Sequence, residues 1–347
     1  MAIGIHISNG TATTDITQLV QTVTWSGDYQ QCARTLEIGL TASPFDLSIP
    51  AVSCNLGDII SFYQNDKQLF YGYVFTLQKD TESSVIAVTC YDRGIYLKRN
   101  EGTYKFTSMT PEAIAKRVCA DFGIEVGSFA VTDIKISRNF VGVSLYGILQ
   151  TAYTLATEST GEKYMVRFDG QKCSVVKKAV TDQTLVVEGG SNLISASTTD
   201  SIANLINQVA IYNGDDKLIG TQKDSESIRL YGLFQNYLKQ ADGDNATAKA
   251  KKIIADNGVS QKITINCNGN IANIAGGTVV IREPYTGLYG LFYIDSDIHT
   301  WKRGQYYNKL VVNFRNIMDE QEVGQLPNKD GSKTGAKWEY LFKPGEV

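Results

Sequence analysis

Thr17-Gln18-Leu19-Val20-Gln21-Thr22-Val23-Thr24-Trp25, near the start of the chain, is answered near its middle by Ala203-Asn204-Leu205-Ile206-Asn207-Gln208-Val209-Ala210-Ile211. The two stretches align without a gap. Apolar meets apolar at Leu19/Leu205, Val20/Ile206, Val23/Val209 and Trp25/Ile211, and amide meets amide at Gln18/Asn204 and Gln21/Asn207. The succeeding segments keep the same order. Leu36-Glu37-Ile38 is echoed by Ile263-Thr264-Ile265, and Gly57–Phe62 by Gly277–Arg282. Leu69–Val74 is echoed, less cleanly, by Leu288–Tyr293. A period this long exceeds the ~20–50 residues of solenoid units, so it reads as two diverged copies of one β domain. Three chains carrying such a pair would present six equivalent modules.

The composition bounds the rest. A length of 347 residues holds two or three domains of roughly 100–150 residues each. A hydrophobic content of 43% supports real cores and excludes a disordered or fibrous chain. Only 6 prolines against 31 glycines suit a sheet protein with many tight turns. A net charge of −3 argues against specific nucleic-acid binding, which needs a clustered basic surface, although a polyanion could still pass nearby. Met1-Ala2-Ile3-Gly4-Ile5-His6 lacks the basic stretch and apolar core of a secretory signal. No apolar run approaches the ~20 residues that span a bilayer. The expectation is synthesis in the cytoplasm with no membrane anchoring. The cysteines, Cys32, Cys54, Cys90, Cys119, Cys173 and Cys267, form no CxxC pair and read as reduced, small core residues.

Residues 1–100 read as strands of a first β-barrel. Ser26-Gly27-Asp28 and Asn65-Asp66 mark turns, and a long loop runs from Thr41 to Leu56. Residues 101–190 change period. Thr110-Pro111-Glu112 starts a helix with Ile114, Val118 and Phe122 as its stripe and Gly123 beyond its end. A second helix starts at Ser144 and stops at Gly161, and a hairpin turns at Asp169-Gly170. Residues 191–318 read as the second barrel, with an insertion at 214–261 whose helix is capped by Asp244 and ended by Gly258. Residues 319–347 read as a linker with Gly324, Pro327 and Gly331, closed by a sticky segment. The fold class is therefore mainly β: two related antiparallel β-barrel domains separated by a small α/β domain.

Little in the chain suggests chemistry. There are two histidines, His6 and His299. On a strand, Asp295, Asp297 and His299 share one face, but they spread over ~13 Å, too far to ligate one ion comfortably. That stretch reads as a solvated strand face with His299 in a local hydrogen bond. Gly276-Gly277 lacks the lysine of a phosphate loop and reads as a turn. No Gly-x-Ser-x-Gly elbow is present. No catalytic, cofactor-binding or metal site is expected. The 19 tyrosines suit half-buried sheet faces and interfaces. Two stretches are apolar enough to be interface candidates. One is Pro44, Phe45, Leu47 and Ile49 in the long loop; the other is Trp338, Tyr340, Leu341 and Phe342 near the end. The latter four are expected to dock on a neighbouring subunit or partner.

The layout resembles the baseplate hub proteins of contractile tails, of the XkdQ type found in PBSX-like prophages and R-type bacteriocins. The likeness rests on Phe106–Ala115 with Phe122-Gly123-Ile124, and on Gly277–Ile281 with Phe292–Thr300. It covers residues 1 to about 318, and its motifs are structural. The resemblance implies two domains similar to the tail-tube subunit and a pseudo-sixfold homotrimer. One face would continue the tail tube, and the other would hold the central spike among other baseplate proteins. It implies a place in a phage-tail-like particle and no enzymatic role. Two rival readings are a tail-associated cell-wall hydrolase and a glycan- or receptor-binding tail module.

Overall fold

The computed structural model describes residues 2–327 except 44, 45, 47, 82, 179–184 and 241–244. The chain is mainly β and its sheets are predominantly antiparallel. The first set of strands is β1 (Ile3–Ser8), β2 (Thr13–Asp15), β3 (Val20–Asp28), β4 (Thr35–Thr41), β5 (Ile59–Gln64), β6 (Lys67–Gln78) and β7 (Val85–Asp92). Period-2 alternation sends Leu36, Ile38 and Leu40 of β4 and Ile60 and Phe62 of β5 into one core. Asn65 and Asp66 turn β5 into β6 with φ of 47° and 64°, the left-handed pair that a two-residue hairpin requires. Ser26-Gly27-Asp28 does not turn; it stays extended because it has a partner strand on its far side.

Residues 94–177 mix helices and strands. They comprise α1 (Gly94–Arg99), β8 (Glu101–Met109), α2 (Pro111–Asp121), β9 (Val126–Phe129), β10 (Ile136–Ser144), α3 (Leu145–Thr160), β11 (Tyr164–Asp169) and β12 (Lys172–Lys177). Pro111 opens α2, but the Thr110 side chain caps no backbone N–H. Phe122 falls at the C-cap, 40% exposed, rather than on the buried stripe. Ser144 caps α3 by accepting from the Gly147 N–H at 3.1 Å, and Gly161 ends it at φ 72°. The hairpin turns at Gly170 and Gln171, one residue later than expected, since Asp169 still pairs with Lys172. Met318 is buried in the core around α3, and 319–325 is a strap rather than a free linker. Gln150 Nε2 donates to Asp319 O at 2.6 Å, and the Val323 N–H donates to Thr151 Oγ1 at 3.2 Å. Gly324, at φ 80°, passes so close that a Cβ would lie 2.5 Å from Asn139 O.

The remaining strands are β13 (Val186–Glu188), β14 (Leu193–Ser201), β15 (Gln208–Tyr212), β16 (Leu218–Lys223), β17 (Gln235–Lys239), β18 (Ser260–Asn268), β19 (Thr278–Glu283), β20 (Leu288–Lys302) and β21 (Gln305–Asn313). Helix α4 (Ser225–Tyr231) precedes β17 and α5 (Ala246–Asp256) comes after it. One strand order occurs twice. In the first set it is β3-β4-β7-β6-β5-β1; in the second it is β14-β18-β21-β20-β19-β13. The last pair differs, because β1 runs antiparallel to β5 whereas β13 runs parallel to β19. A β-bulge falls at matching places, Val74/Thr76 in β6 and Ile294/Ser296 in β20. Gly57 and Gly276 also match, with φ of 87° and 88°. Their N–H groups bond Val74 O and Ile294 O, each at 2.9 Å. Strands β20 and β3 pair, so both sets belong to one 13-stranded sheet. Among the described residues no pairing closes either set into a barrel.

This order corrects the sequence alignment in two ways. The counterpart of β3 is β14, not Ala203–Ile211. The latter enters β15, in a separate three-stranded sheet with β16 and β17. That sheet, with α5 on its Val209 and Ile211 face, is an excursion between Ser201 and Ser260, which are cross-strand partners. The insertion therefore spans 202–259 rather than 214–261. Its last helix is capped by Asn245, whose Oδ1 accepts from the Ala248 N–H at 3.1 Å; Asp244 lies outside the described residues. Further on, Gly57 answers Gly276 rather than Gly277, a one-residue slip that would exchange the two faces of the strand. Because Ser201 and Ser260 face each other, replacing 202–259 by Asn-Gly is expected to leave a β14–β18 hairpin. The variant should keep one cooperative thermal transition by circular dichroism; loss of cooperative folding would show that the excursion is integral to the sheet.

Candidate functional site

The expected interface residues divide sharply. Pro44, Phe45 and Leu47 lie outside the described residues, as do Trp338, Tyr340, Leu341 and Phe342. Ile49 is half-buried, and its N–H donates to Asp46 O at 3.2 Å. In the same loop Val52 and Cys54 pack on the core of the first strand set.

Asp295, Asp297 and His299 are not a solvated face. Asp297 and His299 are 0% exposed and Asp295 is 7% exposed, because β3 and the loop after β18 cover β20. Arg34 grips Asp297 with both terminal nitrogens, Nη1 donating to Oδ1 at 3.1 Å and Nη2 to Oδ2. The Ala275 N–H donates to Oδ1 at 2.6 Å, and His299 Nε2 lies 3.1 Å from Oδ2. Burial would raise the Asp297 pKa, but the Arg34 charge and the bonds from His299 and Arg34 outweigh it and hold the carboxyl below its ordinary value. The Arg34 guanidinium also lies over the Trp25 ring, 3.9 Å from its centroid.

The tautomer of His299 is set by its neighbours. Asn308 Oδ1 accepts from the Asn270 N–H at 2.7 Å, which fixes the amide orientation. Its Nδ2 therefore faces His299 Nδ1, at 2.9 Å, and can only donate. Nδ1 accepts, and Nε2–H points at Asn273 O, 3.1 Å away, and Asp297. Both ring nitrogens are thus engaged in structural bonds. The Trp301 and Tyr306 rings stack at 4.3 Å, and Phe62 meets Trp301 edge-on at 4.8 Å. The network welds the two strand sets together.

Two further buried acids flank this junction. Asp92 accepts the Arg34 N–H at 3.0 Å and the Gly94 N–H at 2.8 Å, and burial pushes its pKa up to about 7. Asp295 faces Lys178 at 3.7 Å, and the Lys178 side chain is fully buried. Burial raises the Asp295 pKa to about 6 and lowers that of Lys178. Lys178 Nζ donates to Ile317 O at 2.5 Å and lies 4.4 Å from the Tyr29 ring centroid. Arg34, Lys178, Asn273, Tyr306 and Asn308 give no signal in the sequence: Arg34, Lys178 and Asn273 pair across long separations, and Tyr306 and Asn308 meet His299 only through the β20–β21 register. Among the described residues no group of three His, Cys, Asp or Glu could hold a metal ion, and no helix is long and apolar enough to cross a membrane.

Two of the sheet's open edges are related through the repeated strand order. Strand β14 pairs only with β18 among the described residues, and most of it is exposed. Among the described residues the end of β6, Thr76–Gln78, likewise pairs only with β7. In the repeat, β6 occupies the place of β20 and β14 the place of β3. Among the described residues, the chain thus makes one β20–β3 junction internally and leaves both halves of a β6–β14 junction unpaired.

Removing Lys178 would strand Asp295 in the interior, so Lys178→Met is expected to cost about 3–5 kcal/mol. The double variant with Asp295→Asn should recover much of that loss. The folded-state pKa of Asp295 is raised, from 3.8 to about 6. Its contribution to stability is therefore full below 3.8 and lost as pH rises through about 6. Urea unfolding should show the wild type losing stability relative to Asp295→Asn across that window; a pH-independent difference would refute the assignment.

Comparison with known proteins agrees with this architecture. The chain is 25% identical over 312 residues to the phage-like element PBSX protein XkdQ of Bacillus subtilis (strain 168), spanning 87% of this chain and 94% of that protein. Its fold is similar to the 43 kDa tail protein of prophage MuSo2 from Shewanella oneidensis. That match has a TM-score of 0.67 at 14% identity and covers 89% of this chain and 98% of that one. It is also similar to a tail protein from Neisseria meningitidis MC58, with a TM-score of 0.65 at 14% identity, covering 90% and 96%. A family model described as YQBQ-like matches residues 23–313, and the chain belongs to that family.

Proposed function

We propose that the chain is the structural hub of a contractile-tail baseplate, working as a homotrimer that adapts a sixfold tail tube to a threefold central spike. In this reading residues 1–100 and 191–318 are tube-like modules and 101–190 is an α/β domain between them. Residues 319–347 carry a docking segment for other baseplate proteins. The chain has a structural role, without catalysis, in a phage-tail-like particle.

The observation that carries the reading is the junction made once and left open once. Two modules with the same strand order are joined through β20 and β3. The matching elements, β6 and β14, sit at open edges that invite a partner. If each β6 takes the β14 of the next chain, every module meets its neighbours alike. Three chains then close a ring of six modules, and closed symmetry prevents runaway polymerisation.

The register of that contact can be read from the internal one. Trp25 pairs with Leu36 and Thr198 with Ile263, so Trp25 and Thr198 occupy equivalent places. Ser296 pairs with Asp28, and Ile298 with Ser26. Carried across the repeat, Thr76 should face Ser201, and Gln78 should face Thr199, of the neighbouring chain. A Gln78→Cys/Thr199→Cys variant, incorporated into particles and mildly oxidised, is expected to give dimers and trimers on a non-reducing gel. Absence of cross-links in assembled particles, or a reconstruction with six hub chains per ring, would overturn the proposal.

A further inference from the structure

Phe75 is the extra residue of the β6 bulge, standing between Val74 and Thr76 where that strand becomes an open edge. Its ring is 38% exposed and meets Tyr91 edge-on, with centroids 5.3 Å apart. Tyr73, the cross-strand partner of Tyr91, meets Tyr71 and Tyr96 edge-on in turn, at 6.3 and 5.9 Å. The open edge therefore begins on an aromatic cluster. Ile202, 37% exposed, follows the last residue of β14, where the chain departs into the excursion. The repeated strand order gives each of these residues a counterpart. Val74 and Ile294 occupy equivalent places, so Phe75 matches Asp295 and Tyr91 matches Asn313. Trp25 and Thr198 are equivalent, so Ile202 matches Tyr29.

Those counterparts meet inside the chain. The Tyr29 N–H donates to Asp295 O at 2.9 Å, and Lys178 Nζ lies 3.7 Å from Asp295 Oδ1 and 4.4 Å from the Tyr29 ring centroid. Asp295 and Tyr29 thus face the same side of the closed junction, and Asp295 and Lys178 are buried there. We propose that Phe75 and the Ile202 of a second copy of this chain make the matching contact at the β6–β14 junction, an apolar latch in place of the Asp295–Lys178 pair. The latch rests on the ring reading above and names what holds the open edges together. Two large apolar side chains, each left partly in water at equivalent halves of one junction, gain by covering each other. The strand that β6 accepts is β14 and not the β3 of another copy. Leu77 stands where Asp297 stands in β20. Pairing β6 with a second β3 would bring Arg34 against Leu77, burying a charge with no carboxylate to answer it. Gln261, the counterpart of Arg34 beside β14, brings no charge. The two junctions are therefore chemically distinct, and each refuses the strand that belongs to the other.

The test places Phe75 and Ile202 variants in the full-length Gln78→Cys/Thr199→Cys chain, produced together with the other particle proteins and mildly oxidised. The readout is the fraction of the chain cross-linked to a second copy on a non-reducing gel. Phe75→Asp and Ile202→Asp are each expected to lower that fraction about tenfold, because each sets a carboxylate against an apolar side chain in the junction. Phe75→Leu should leave it unchanged, and Phe75→Asp combined with Ile202→Lys should restore it. Both positions are partly exposed in the single chain, so the variants should keep the parent's thermal transition by circular dichroism. A parent that cross-links, with both aspartate variants cross-linking equally well, would overturn the latch and leave the ring standing. Loss of the link with Phe75→Asp but not with Ile202→Asp would also overturn it, since Phe75 would then meet another partner. A parent that does not cross-link would overturn the latch and the ring together. Should Phe75→Asp fail to fold, Ile202→Asp and its rescue by Phe75→Lys decide the question.

Discussion

The grip of Arg34 on Asp297 is the interaction on which the architecture turns. A carboxylate with no exposure is costly unless every lone pair is answered. Here a two-pronged guanidinium, an imidazole and a backbone N–H answer it together. Arg34 precedes β4, while Asp297 lies in β20, so the pair spans the seam between the two strand sets. Its geometry also sets the register. Moving β20 by one residue against β3 would turn Asp297 away from Arg34 and expose the charge-bearing face. The seam is thus specified by polar chemistry, while the Phe62, Trp301 and Tyr306 rings supply the apolar area beside it.

The two halves are alike in connectivity and unlike in use. Both carry the same bulge, and both carry a left-handed glycine shortly before the matching strands β5 and β19. Yet β3 is covered on both edges while β14 is bare on one. The polar lock is likewise one-sided. Leu77 stands where Asp297 would be, and Gln261 where Arg34 would be. The strand order occurs twice, and the buried Arg34–Asp297 pair lies at the seam between the two sets.

Much of this is legible in the sequence. The β character, the helix starting at Pro111, the Ser144 cap, the Asn65-Asp66 turn and the existence of a repeat all have local signatures. The repeat counterpart of β3 does not. Leu193-Ile194-Ser195-Ala196-Ser197-Thr198 has little apolar alternation because its face is exposed, whereas Ala203–Ile211 carries the alternation of a buried strand in an unrelated sheet. Alternation reports burial, not position in a sheet. The stretch Asp295–His299 misleads for the same reason. Acids on a strand look solvated until a distant arginine and lysine are folded over them. The strap across α3 has the composition of a linker because its order comes from bonds to Gln150 and Thr151 rather than from its own residues.

The excursion between Ser201 and Ser260 has a mechanical meaning. It is carried at the tip of the β14–β18 hairpin, and beyond that stem the Lys252–Glu320 ion pair ties it to the strap. A pull on the excursion would load the rungs of that hairpin one after another, opening them as a zipper opens. A pull along β20, by contrast, would shear its rungs against β3 and β21 all at once. The same sheet is therefore compliant toward whatever tugs on its appendage and stiff along the seam.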